Sequence, residues 1–116
     1  MQDYRKLQVW QKAHKLALRT YEVSAYLREP DRWRLRDQIL GAAISIPSNI
    51  AEGAGRGSRT DFSRFIWYSI GSCNELESDL LLTRDLKFIP IIVHTRFDED
   101  ITEVRKMLTS FIRTLR

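Results

Sequence analysis

The side chains that carry most protein chemistry are few in this chain and far apart: His14, His94 and the single cysteine, Cys73. A nucleophile needs a base within hydrogen-bond reach, and a metal needs three or four ligands held close together. Both histidines stand alone, and Cys73 has no basic residue beside it that would lower its pKa, so it reads as a buried free thiol in a reducing compartment. Glu75, Glu77 and Asp79 are close in sequence, but no histidine stands at ligand spacing from them. The residues therefore point away from an enzyme, and neither a metal nor another cofactor is expected.

Phosphate is the next ligand to consider. Gly53, Gly55 and Gly57 alternate with Ala54 and Arg56 and lead into a helix start, where free backbone N–H groups favour anions. No strand precedes the glycines, and the Gly-Lys-Ser/Thr ending of a nucleotide loop is missing, so a nucleotide fold is not indicated.

What remains is charge. Nineteen basic and fifteen acidic side chains leave a formal net charge of +4, unevenly spread: residues 1–64 carry +5 and residues 65–116 carry −1. Lys12, Lys15 and Arg19 form a stripe opposite the apolar face of one helix, and Arg56, Arg59 and Arg64 gather at the glycine turn. These six are the candidate contacts to the phosphates of RNA or DNA, which would be salt-dependent and largely blind to sequence. A solvated helix face is the plainer account of the stripe. The alternative partner is a protein bound through Trp33, Trp67 and Tyr68, although Trp33, among Arg32, Arg34 and Arg36, also fits a stacking platform for a base or, as the favoured reading, a lid on a bundle end.

Helices must position all of these groups. Trp10, Ala13, Ala17, Tyr21, Ser24 and Leu27 recur at helical steps, predicting a first helix from about Leu7 to Leu27. After the turn at Pro30-Asp31, Leu35, Ile39, Ala42 or Ala43, Ile46 and Ile50 define a second. Ser58 caps a long third helix from Arg59 to about Lys87, with a close-packing point or bend at Gly71-Ser72. A seam from Val93 through Phe97, Ile101, Val104, Leu108 and Phe111 to Leu115 defines a fourth, with Pro90 in its first turn or, failing that, a start near Asp98. Short connections make this a single domain over residues 1–116, an all-α, antiparallel up-down-up-down four-helix bundle. Leu40, Ile44, Trp67 and Tyr68 exceed what one core needs, which predicts self-association. The N-terminal Met1–Lys6 has no apolar signal core and no stretch is long enough to span a membrane, so a cytoplasmic protein is expected.

The centre of the pattern is Ile46-Pro47-Ser48-Asn49-Ile50-Ala51-Glu52-Gly53. Pro47 inside a helix removes one donor and presses on the carbonyl of Ala43, so a kink is expected, with Ser45, Ser48 and Asn49 bonding the freed carbonyls. A second reading has Asn49 and Glu52 in a buried polar contact that fixes register. Gly53 is expected to close the helix in the left-handed conformation.

This motif, together with Tyr4 through His14, Gln38, Phe62, Gly71-Ser72, Glu75-Leu76-Glu77 and Met107-Leu108, resembles the 23S rRNA intervening-sequence proteins over essentially the whole chain. The resemblance implies a four-helix bundle assembled into a homopentameric ring, association with RNA, and no catalytic residues. It extends to the accessory protein of diversity-generating retroelements, a basic pentamer that engages a reverse transcriptase and nucleic acid.

Overall fold

The computed structural model describes residues 3–116; Met1 and Gln2, part of the segment read above for a signal core, lie outside the described residues. Four helices, α1 (Gln8–Thr20), α2 (Trp33–Ala54), α3 (Arg59–Asp85) and α4 (Ile91–Thr114), pack as a bundle of 44 × 23 × 20 Å. Each packs against its two neighbours in cyclic order, with α2 against α3 the most extensive pairing. No helix among the described residues is long and apolar enough to cross a membrane.

Local chemistry sets where the helices begin and end. Asp3 accepts from the Arg5 N–H at 3.1 Å and starts a 3-10 turn, Tyr4–Lys6, ahead of α1. After Thr20 the chain tightens into 3-10 geometry over Tyr21–Tyr26, so the α-helix is shorter than its periodicity predicts. The buried Thr20 hydroxyl donates to the Leu16 carbonyl at 2.7 Å, the kind of back-bonding that bends helices. Ser58 caps α3 by accepting from the Asp61 N–H, and Pro90 stands immediately before α4, settling that boundary against a start near Asp98.

The core is apolar along all four helices, with Leu16, Ile39, Ile46, Ile66, Leu76, Phe97, Ile101 and Leu108 among its buried side chains. Burying each such group contributes about 1.5–3 kcal/mol. The buried face of α1 is Val9, Ala13, Leu16, Ala17 and Thr20, rotated from the one expected, since Trp10 is only partly buried and Tyr21 is exposed.

Two glycine expectations are corrected. Gly53 is not left-handed; it lies within α2, where an added Cβ would stand 2.8 Å from Phe62 Cδ1 and 2.9 Å from Phe65 Cβ. Its role is close approach of α2 to α3. At Gly71-Ser72, expected as a close-packing point or bend, Gly71 is exposed with nothing within 4 Å of where its Cβ would be, and the close contact to α2 is made by Ser72 instead. The left-handed residue is Lys87 (φ 63°), which ends α3 in a Schellman turn: Phe88 N–H donates to Thr83 O and Lys87 N–H to Arg84 O.

Candidate nucleic-acid interface

Pro47 is buried within α2, and two of the three polar residues expected to bond carbonyls around it do so, though neither reaches that of Ala43, and the Ser48 hydroxyl bonds no carbonyl among the described residues. Asn49 Nδ2 donates to Ser45 O at 2.8 Å, and the Ser45 hydroxyl to Ala42 O at 2.8 Å. Two contacts cross to α3: Ser45 and Ser72 hydroxyls lie 2.6 Å apart, and the buried Ser69 hydroxyl donates to Ile46 O at 2.8 Å. The buried Asn49–Glu52 contact does not form. Glu52 is exposed and pairs with Arg56 at 2.9 Å, so register between α2 and α3 comes from the serines and Gly53 instead.

The glycine turn makes no phosphate cradle. Gly55 N–H donates back to Ala51 and Glu52 carbonyls, Arg56 N–H to Gly53 O, and Ser58 takes the Asp61 N–H, so these donors face their own helices. No group of three or more His, Cys, Asp or Glu side chains among the described residues is placed to hold a metal. His14 stacks on Trp10, His94 is buried in α4, and burial pushes the Cys73 thiol up to about 12. Trp33 donates its indole N–H to Arg28 O at 2.9 Å and pins the turn before α2, which makes it a half-exposed lid.

Of the six candidate basic residues, Lys12 and Arg19 turn toward α4. Lys12 pairs with Glu103 at 3.2 Å and Arg19 with Asp100, because the acid-rich first half of α4 runs beside α1. Lys15 lies between them, exposed and without an ionic partner among the described residues. At the other end Arg56 and Arg64 pair within one helical turn with Glu52 and Asp61, exposed pairs that stabilise little, and Arg59 has no ionic partner among the described residues. The six therefore do not form one face.

The antiparallel topology makes a different grouping. Cut across the helix midpoints, one half of the bundle consists of residues 3–14, 44–72 and 103–116, and it carries ten basic and four acidic side chains, a net +6. The other half, residues 15–43 and 73–102, carries nine basic and eleven acidic, a net −2. The basic half brings Lys6, Lys106, Arg113 and Arg116, which the sequence reading did not single out, to the same end as Arg56, Arg59 and Arg64. Lys6, Arg59, Lys106, Arg113 and Arg116 make no ion pair among the described residues, so their charge is available to a partner. A cleft of about 450 Å³ opens there between the α2–α3 turn and the last turn of α4, with Arg56 and Arg59 on one wall and Phe111 and Leu115 on the other. A second groove runs between Lys6 and Lys106 over Leu7, Met107 and Phe111.

Apolar surface lies on two other edges. Trp10, Leu18, Tyr21 and Ile44 line a groove between α1 and α2. Trp67, 57% exposed, lies one heptad before Asn74, which accepts from Arg105 of α4, so it belongs to the α3–α4 edge.

The family model described as 23S rRNA-intervening sequence protein matches residues 5–110. Among solved structures, a protein of unknown function from the S23 ribosomal protein family of Bacteroides thetaiotaomicron shares 30% identity at a TM-score of 0.84; the match covers 90% of this chain and 97% of that one. No curated protein matches it.

Proposed function

The chain belongs to the 23S rRNA-intervening sequence protein family, and from that premise we propose that it is a non-enzymatic oligomeric scaffold that holds RNA or DNA against the basic end of the bundle. The observation that carries this reading is the separation of charge along the bundle, +6 in one half and −2 in the other. A phosphate backbone is drawn to such an end by counterion release, without base-specific contacts. Assembly uses the apolar edges: the α1–α2 groove of one copy takes the Trp67 edge of the next. A contact between two different surfaces is heterologous and closes into a ring when the rotation fits, and five copies is the number the resemblance implies. In such a ring the bundle ends lie on opposite faces, one basic and one acidic.

Native mass spectrometry on protein purified without nuclease tests both parts together. A pentamer that retains nucleic acid, and loses it when Arg59, Lys106 and Arg113 are changed to Glu, is the expected result. A monomer overturns the ring, and binding unaffected by the triple change overturns the basic end. A second reading, a protein adaptor, draws on the exposed Leu82, Leu86, Ile91 and Ile92 around the α3–α4 connection, away from the basic end. A pentamer free of nucleic acid that binds no RNA or DNA supports it.

A further inference from the structure

The basic end carries an aromatic cluster that phosphate binding alone does not use. Tyr68 on α3 is 48% exposed, and Phe65 meets it edge to face, with ring centroids 5.4 Å apart at 87°. Arg64 places its guanidinium 5.0 Å from the Phe65 centroid and 5.9 Å from that of Tyr68, and Arg56 comes to 4.8 Å from Phe65 across the α2–α3 turn. Phe65 is braced against α2 by the close approach at Gly53, so the pair sits on a helix packed against its neighbour rather than on a loop. Three positions beyond Tyr68, Gly71 leaves the next turn bare, and no side chain there covers the ring. Ser72, four positions beyond Tyr68, meets Ser45 of α2, which places Tyr68 on the α2–α3 edge, apart from both edges assigned to assembly.

A fixed, half-exposed ring with a guanidinium 5.9 Å away, on a surface with a positive balance of charge, is the arrangement that binds unpaired bases: the base stacks on the ring and its flanking phosphates meet the basic surface. The partner's charge is set by the surrounding half of the bundle, with ten basic groups to four acidic. In a duplex the bases are already stacked and paired, and Tyr68 has nothing to receive. We infer that Tyr68, supported by Phe65 and flanked by Arg64, is a base-stacking platform and that the preferred partner is single-stranded nucleic acid. This rests on the nucleic-acid reading above and narrows it to one class.

The test compares fluorescence anisotropy of a labelled, unstructured RNA strand with that of the same strand annealed to its complement, using intact protein. Tyr68→Ala is expected to weaken single-strand binding about tenfold and to leave duplex binding unchanged, whereas Tyr68→Phe, which keeps the ring, binds the strand as the parent does. Because Tyr68 is outside the core, circular dichroism should show both variants folded. A Tyr68→Ala protein that binds the strand unchanged, or loses strand and duplex equally, overturns the platform and leaves the basic end standing. A parent protein that binds neither form overturns both.

Discussion

Gly53→Ala isolates the packing step on which the α2–α3 pairing depends. In an open helix the change favours folding by about 1 kcal/mol, because glycine is the poorer helix former. Here the new methyl would stand 2.8 Å from the buried Phe62 ring and 2.9 Å from Phe65 Cβ. The second atom is fixed to the α3 backbone, so relief requires the helices to separate by about an ångström. Overpacking of this kind costs about 1–3 kcal/mol, and the close contact at a non-rotatable atom puts it at the upper end. The net is a loss of about 1–2 kcal/mol. For a chain of 116 residues, with an unfolding entropy of about 0.24 kcal/mol per kelvin, that is a fall in Tm of about 4–8 °C. Gly41→Ala is the paired control, since nothing lies within 4 Å of its Cβ position and its surface is open. It should raise Tm by about 4 °C. Both are read by scanning calorimetry at one protein concentration. A Gly53→Ala protein that melts higher than the parent, in step with the Gly41 control, would refute the close-approach account.

Other outcomes follow from single contacts. Lys87→Gly relieves the left-handed residue that ends α3 and should stabilise by about 0.5–1 kcal/mol in urea melts; a loss of stability would mean that the Lys87 side chain contributes more than its backbone strain removes. Ser69→Ala removes the buried hydroxyl bonded to Ile46 O and should cost about 1 kcal/mol, measured by the urea midpoint at constant m. Burial raises the Cys73 thiol from 9.0 to about 12. The folded chain therefore holds that proton where the unfolded chain releases it, and the associated stability is complete below about pH 9 and declines as pH rises toward 12. Ellman's reagent at pH 8 should accordingly react only as fast as the protein opens; immediate labelling would contradict the burial. Burial, and secondarily Glu75, raises the Asp79 carboxyl above its usual value, so its ionisation opposes folding as pH climbs through the carboxylate range. Asp79→Asn should melt higher than the parent at pH 7, with the difference vanishing near pH 3.

The helices were legible because helical periodicity is local. A side chain three or four positions away decides whether a face is apolar, and the Val93–Leu115 seam or the Phe62–Thr83 face can be read without knowing what covers it. Where local rules compete, the reading slipped. The chain tightens into 3-10 geometry after Thr20, and the buried face of α1 turned from Trp10 to Val9 because of what packs on it, not because of α1 itself. Gly53 looked like a helix end because glycine commonly is one; that Phe62 and Phe65 pass within 3 Å of its Cβ position is a property of two helices together.

The candidate interface shows the same division more sharply. Counted along the chain, residues 65–116 are nearly neutral, because the acidic start of α4 cancels its basic end. The sequence by itself determined which residues are charged, that no catalytic or metal-binding grouping is spelled out in it, and that the chain forms four amphipathic helices. Only the tertiary structure decided that Lys12 and Arg19 are taken up by α4, and that Lys6, Arg59, Lys106 and Arg113 share one end. The physical reason is that electrostatic attraction depends on distance in space, and antiparallel packing brings charges from opposite ends of the chain within a few ångströms while separating those on one helix by its full length.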